Sequence, residues 1–315
     1  MVARGKKKSV TSPRSSLVSI GLPVRNGIGR IERAVESVLA QDHEPLQLVV
    51  CDNASTDGTE EFCSALARAD DRVVYHRHPR NIGHLNNFAS ALRFADGDFF
   101  RWIGDDDALE PRCVSRSLEV FAEDPRLLLV TTQVSYTGDD GVTQTAPYEG
   151  RALASDDRLE RFSVMLRLLT ESHLLIDPLY GVFRRDRVAA IPRRNMLCED
   201  EVFATKLALA GPWGHVPEVL AHRHWEPLPL SVLARRLGVP AWQALFATTL
   251  QCREILRWVA DPTLTPELTD DERRRARAAV HAMWLRRHWR VGVRRARKLV
   301  RLMTPRHRSA AATME

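Results

Sequence analysis

Apolar positions come in short unbroken runs over the first hundred residues, separated by amphipathic stretches. "SLVSIGLPV" (16–24) shows no polar alternation and ends around Pro23, which predicts a buried strand. "IGRIERAVESVLAQ" (28–41) places Ile31, Val35, Val38 and Leu39 at helical spacing. "LQLVVCD" (46–52) and "RVVYHRH" (72–78) predict a second and a third strand, and "STDGTEEFCSALARA" (55–69) a helix with Ser, Thr and Asp as cap candidates. "IGHLNNFASALRFA" (82–95) is a third helix and "DFFRWIG" (98–104) a fourth strand. Three βα units at this pitch predict a parallel sheet with right-handed crossovers. In such sheets ligands gather outside the carboxyl ends of the strands. Asp52 and the triplet Asp105, Asp106 and Asp107 fall at two of those ends.

The pattern changes after Pro111. "VSRSLEVFAED" reads as a helix, "RLLLVTTQV" as a strand, and the Asp-Gly of "YTGDDGVTQ" as hairpin chemistry. An amphipathic helix is expected over 155–171, a strand over 177–186 and a helix over 198–211 closed by Gly211. "WGHVPEVLAHRHW" (213–225) reads as a strand with an exit loop. From about 230 to 304 the periodicity is helical, broken at "DPTLTPELT".

Composition narrows the class. Of 315 residues 44% are hydrophobic and 27% charged, the balance of a soluble globular protein, and no apolar stretch approaches the roughly 18 residues of a membrane span. The opening "MVARGKKKSVTSPRSS" has no apolar core and does not read as a secretory signal. Five scattered cysteines without a CxxC pair suggest reduced thiols and a cytoplasmic setting. The net charge of +6 conceals an asymmetry. Residues 273–308 hold 14 Lys/Arg and no acid, whereas residues 17–272 hold 27 basic groups against 39 acids. Such basic C-terminal helices can meet an anionic membrane surface at the inner face, dock on a protein partner, or pack on the acidic body. No nucleic-acid-binding motif is present, and none is expected as a partner.

Four stretches carry a family resemblance: "VSIGLPVRNG", "LQLVVCDNASTDGT", "RNIGHLNNF" and "FFRWIGDDDALEP", in that order within some 95 residues, with "CEDEVFATKLALAG" about 90 residues later. Together they resemble family 2 glycosyltransferases, inverting enzymes of the GT-A fold that take nucleotide-sugar donors. The resemblance covers roughly residues 15–225. It implies an α/β, mostly parallel Rossmann-like sheet with a helical C-terminal extension. The expected divisions are a basic N-terminus (1–15), a nucleotide-sugar-binding half (16–110), an acceptor-binding half (111–228), a helical region (229–305) and a tail (306–315).

The resemblance also implies roles. Pro23, Val24, Arg25 and Asn26 would wrap the nucleoside, Arg25 standing where the family usually has an aromatic residue. Asp52 would accept hydrogen bonds from the base or ribose, with Asn53 beside it; a plain turn former is the alternative. Asn81, Gly83 and Asn87 would present a helix N-terminus to phosphate, or simply cap that helix. One register of the family's DxD motif aligns its last metal-binding Asp with Asp106 and its first with Gly104, and Asp105-x-Asp107 is a second register. Asp106 is therefore the first candidate ligand for Mn²⁺ or Mg²⁺, which prefer hard oxygen donors. Asp107 and Asp105 rank next, and His224 is a further candidate from a late loop. An Asp-rich helix cap is the competing reading of the triplet. Asp200, preceded by Glu199, would be the general base, against favourable first-turn carboxylates.

The activity this implies is metal-dependent inverting transfer from a UDP-, dTDP- or GDP-sugar to a hydroxyl of a glycan, lipid-linked or natural-product acceptor. A sugar nucleotidyltransferase would share the sheet and the carboxylates, but "LPVRNGIGR" (22–30) is a poor triphosphate loop. A non-catalytic docking module is the third class, motivated by the C-terminal helices.

Overall fold

A computed structural model of the chain describes residues 12–171, 177–225 and 228–303, with side chains as far as 290 and at 293. The first half runs β1 (Val18–Val24), α1 (Ile31–Leu39), β2 (Leu46–Asp52), α2 (Thr59–Ala69), β3 (Val73–Arg77), α3 (His84–Arg93) and β4 (Phe99–Trp102). All seven residues of β1 and all four of β4 are buried. A central parallel strand has both faces covered, so its sequence cannot alternate. β1 pairs in parallel with β2 on one side and β4 on the other, and β3 joins β2 in parallel.

The chain then turns through the aspartates into β5 (Ala108–Leu109), α4 (Cys113–Glu123), β6 (Leu129–Thr137), β7 (Thr143–Gln144) and α5 (Arg158–Glu171). It continues with β8 (Val182–Arg184), α6 (Arg185–Ala189), α7 (Glu199–Ala210) and β9 (Trp213–His224). Among the described residues one nine-stranded sheet results, in the order β3-β2-β1-β4-β8-β6-β9-β5, with β7 also on β6. β8 is antiparallel to both β4 and β6 and so joins the two halves, while β6 and β9 run parallel. The helix expected at "VSRSLEVFAED" is α4, which begins at Cys113, and ahead of it the two-residue β5 pairs antiparallel with β9. The strand expected over 177–186 is shorter, because Pro178–Tyr180 forms a 3-10 turn before β8.

Three apolar clusters hold this together. Val18, Ile20, Leu22, Leu48 and Val50 face α1, α2 and α4 on one side of the sheet. Val49, Cys51, Phe100 and Trp102 face α3 and α7 on the other. A third cluster joins α5 and α7 to α9 (Gln243–Ala260) and α10 (Asp270–Met303), through Phe162, Val202, Ile255, Val280 and Met283. The short α8 (Leu230–Arg236) precedes α9. The apolar stripe of the basic helix therefore divides. Ala276, Val280 and Met283 are buried against the body, Trp284 bonds Thr249, and Leu285 and Trp289 face solvent at 61% and 75% exposure. The side chains of Val291, Leu299, Val300 and Met303 lie outside the described residues.

Candidate active site

The carboxyl ends of β1, β2 and β4 converge, and their loops lock one another. After β1, Asn26 takes the left-handed backbone region (φ 53°). Its amide nitrogen donates to Ser55 Oγ (2.9 Å), and its side-chain oxygen accepts from the Thr56 amide (2.9 Å). Asn53 clips the next loop, donating to Asn81 Oδ1 at 2.8 Å and accepting from the Ile82 amide at 2.7 Å. Asn87 donates to the carbonyl of Cys51 at 2.9 Å, which ties α3 to β2. Asn26, Ala54 and Cys198 are the non-glycine residues with positive φ among the described ones, and all three lie in the segments around this site. Each such residue costs about 1–3 kcal/mol, so the neighbouring contacts must hold it.

A cavity of about 960 Å³ opens at these strand ends. Pro23, Val24 and Arg25 form one wall and Asn81, Gly83 and Asn87 another, with Asp105, Asp106 and His224 at the far side. A second lobe of about 560 Å³ shares Arg30, Asp106 and His224 with it and extends between the start of α1 and the end of β9. Asp106 thus stands where two lobes meet.

The three aspartates differ. Asp105 forms an ion pair with Arg30 at 2.7 Å. Asp107 is buried; one of its oxygens accepts from the Gly104 amide and from Arg223 Nε, both at 3.1 Å. Its other oxygen is buried without a partner. Asp106 is exposed to the cavity and bears no ion pair among the described residues. Burial raises the pKa of both Asp105 and Asp106; Arg30 opposes the rise at Asp105, and Asp107 adds to it at Asp106. A β-carbon on Gly104 would fall 2.8 Å from Asp107 Oδ2 and 3.0 Å from Asp106 Oδ1. A side chain there would have to shift the Asp107 and Asp106 carboxylates from these positions.

Other expected residues stand behind this front. Asp52 is fully buried and turned inward, accepting from Ser55 Oγ (2.5 Å), the Ser55 amide (2.8 Å) and Tyr75 OH (2.8 Å). Its carboxylate braces the β2 loop rather than lining the cavity. Glu199 is consumed by a two-pronged pair with Arg193 at 2.8 and 2.5 Å, and Arg193 lies over the rings of Phe203 and Trp102. Among the described residues Asp200 forms no ion pair. It lies deep among protein atoms yet keeps an open side-chain surface. That desolvation, with Glu201 beside it and then Asp177 and Glu199, raises its pKa to about 6. His224 pairs with Asp139 through Nε2 at 2.8 Å.

Sequence reading missed Arg223, which grips both Asp107 and Asp177 and lies 3.6 Å over the Tyr180 ring. Burial disfavours its charge, but Asp107, Tyr180 and Asp177 outweigh that and hold its pKa well above the usual value. It also missed Arg235, Arg236 and Gly238, which add a wall to the larger cavity from α8.

The glycosyl transferase family 2 sequence model matches residues 19–184, more than half of the chain, and the chain belongs to that family. It is 34% identical over 128 residues to the chondroitin synthase of Pasteurella multocida (strain Pm70), a match covering 41% of this chain but 13% of that enzyme. It is 34% identical over 96 residues to the abequosyltransferase RfbV of Salmonella typhimurium, covering 30% of this chain and 29% of that one. The chain thus spans under a third of either relative. Among solved structures, TarS of S. aureus superposes with TM-score 0.60 at 15% identity, over 87% of this chain and 43% of that one. The mannosyltransferase PcManGT of Pyrobaculum calidifontis, solved with GDP-Man and Mn²⁺, gives 0.52 at 17%, over 88% and 76%. The fold is GT-A, and the chain carries a family 2 glycosyltransferase domain.

Proposed function

We propose that the chain transfers a sugar from a nucleoside diphosphate donor, UDP first and dTDP or GDP next, to a hydroxyl acceptor with inversion, assisted by Mn²⁺ or Mg²⁺. The observation that carries this reading is the division of labour among carboxylates. Asp105, Asp107, Asp52 and Glu199 are each held by hydrogen bonds or ion pairs, while Asp106 and Asp200 are left open. A solvated turn or a helix cap would not sort them this way.

Among the described residues no three His, Cys, Asp or Glu side chains come close enough to bind a metal unaided. A hard cation needs only one or two carboxylates when phosphate oxygens and water complete its shell. The open Asp106 and the partnerless oxygen of Asp107 fit that requirement, and His224 lines the same cavity as Asp106. When bound, the cation would neutralise charge developing on the leaving diphosphate. Asp200 would take the proton of the acceptor hydroxyl as it attacks, and a pKa near 6 keeps it ionised at neutral pH yet basic enough to act. Pro23, Val24 and Arg25 would hold the nucleoside, and Asn81, Gly83 and Asn87 the region near the phosphates.

The acceptor is a glycan, a lipid-linked sugar or a natural product. The reading places the protein in the cytoplasm, with the exposed Leu285 and Trp289 and the arginines around them able to rest on an anionic inner membrane surface. Thermal-shift screening of the full chain against UDP, dTDP and GDP with Mn²⁺ tests the donor assignment. A melting point unmoved by all three would end it.

A further inference from the structure

We infer that Arg235 and Arg236, at the end of α8, form a phosphate-binding pair that closes the donor cavity and ties it to the loop leading into the helix that bears Asp200. This rests on reading the cavity as the nucleotide-sugar site, but it concerns a segment beyond the family match.

The placement of the pair is built, not incidental. The Gly238 amide bonds the Arg235 carbonyl at 3.1 Å, and the Val239 amide bonds the Ala234 carbonyl at 2.9 Å. Gly238 has φ 64°. These two crossed bonds with a left-handed glycine between them form a Schellman stop, which fixes where the last turn of α8 ends. Ala234 is fully buried against Leu197 and Ala247, so the helix can rotate little about its axis. Arg235 and Arg236 are thereby delivered to the cavity wall.

Charge then identifies the ligand. Four arginines line the cavity: Arg25, Arg30, Arg235 and Arg236. Arg30 is spent on Asp105. The other three form no ion pair among the described residues, although acidic side chains abound elsewhere in the chain. Arginines at a helix C-terminus gain from the helix dipole, which accounts for their being tolerated there. It does not account for their facing a cavity whose other open charge is Asp106. Guanidinium forks suit phosphate oxygens, and charge-assisted bonds to them are among the strong ones. The phosphate comes from the donor's diphosphate or from a phosphate-bearing acceptor.

Hydrogen bonds connect the pair to the base. Asn195 donates to the Leu237 carbonyl at 3.0 Å, and the Leu197 amide donates to Gln243 Oε1 at 3.2 Å. Residues 195–198 lead directly into α7, where Asp200 sits. A ligand that draws in Arg235 and Arg236 therefore also pulls on the loop that positions the base.

The test is calorimetric titration of the full chain, wild type against an Arg235→Ala/Arg236→Ala double variant and an Arg235→Lys/Arg236→Lys control. The probes are UDP, GDP and the corresponding nucleosides, each with Mn²⁺ and with chelator, and inorganic phosphate added to the UDP-saturated protein. A donor-side pair predicts at least about a tenfold weaker diphosphate affinity in the alanine variant, unchanged nucleoside affinity and partial recovery with lysine. An acceptor-side pair predicts unchanged UDP affinity and lost phosphate binding to the saturated protein. Equal binding of every probe by wild type and variant overturns the inference, as does a nucleoside loss matching the nucleotide loss. Wild-type protein that binds neither UDP nor GDP overturns the donor reading and this inference with it.

Discussion

Single residues at the site are separated by what already holds them. Asp106→Ala should reduce turnover on the order of 10²-fold or more while the melting point stays near wild type, because the carboxylate is exposed and forms no ion pair among the described residues. Asp107→Ala should behave differently. It removes one of the two carboxylates that hold Arg223, a largely buried guanidinium, and losing a hydrogen bond to such a charged group costs about 1.5–3 kcal/mol. Thermal melts beside initial rates distinguish the two; equal melting points would refute the contrast. Asp200→Asn should abolish most transfer, about 10²–10⁴-fold. In the native enzyme, donor turnover should fall about tenfold per unit as pH drops below about 6, where Asp200 takes up its proton. The stability effect has the opposite sign. The folded chain binds this proton more tightly than an unfolded aspartate with pKa about 3.9, so stability falls as pH rises from there toward 6. Asp200→Asn should therefore melt higher than wild type at pH 7, and a lower melting point would contradict that cost.

Among elements, those of the first half were legible because buried parallel strands announce themselves as unbroken apolar runs and their helices as amphipathic ones. Two kinds of feature were not. β5 spans two residues and exists only because β9 offers it a partner, so no local pattern encodes it. Arg223 reads in sequence as one more charge in "AHRHW", and its partners lie 116 and 46 positions away. The α8 arginines did leave a trace, two basic residues just ahead of a Leu-Gly helix stop, but in a region where the resemblance had faded. The docking of α10 also became visible only in three dimensions. Arg287 reaches Glu201 at 2.7 Å, Gln251 at 2.6 Å and the Leu169 carbonyl at 2.6 Å, linking α10 to α7, α9 and α5. Arg287→Ala should lower stability by about 1–3 kcal/mol. It should also move the acid limb of the rate profile to higher pH, because Glu201 would then repel an ionised Asp200 without compensation. An unshifted limb would show that Glu201 is screened by water instead.

Over the whole molecule, the basic helix has two faces with different duties. One is core, so deleting α10 would test folding rather than binding. The other presents Leu285 and Trp289 among arginines, and surface substitutions there leave the core intact. The full chain should co-sediment with phosphatidylglycerol-containing vesicles and not with pure phosphatidylcholine, less so in high salt. Leu285→Ser/Trp289→Ser should weaken this without changing donor turnover. Protein recovered wholly in the supernatant with both compositions would remove the membrane role.

Four of the five thiols are buried, which leaves Cys198 as the chain's natural attachment point for a reporter. Burial and the neighbouring Glu201 and Asp200 hold its thiol protonated, so native alkylation should be slow and stop at a single adduct. Cys198 packs against the same small cluster of Leu197, Ala234 and Ala247 as Leu233 and Leu237 of the α8 region, and immediately precedes the helix that bears Asp200. Its alkylation rate, followed by intact mass with and without UDP, should therefore serve as a clock for the motion of that wall, with no engineered label.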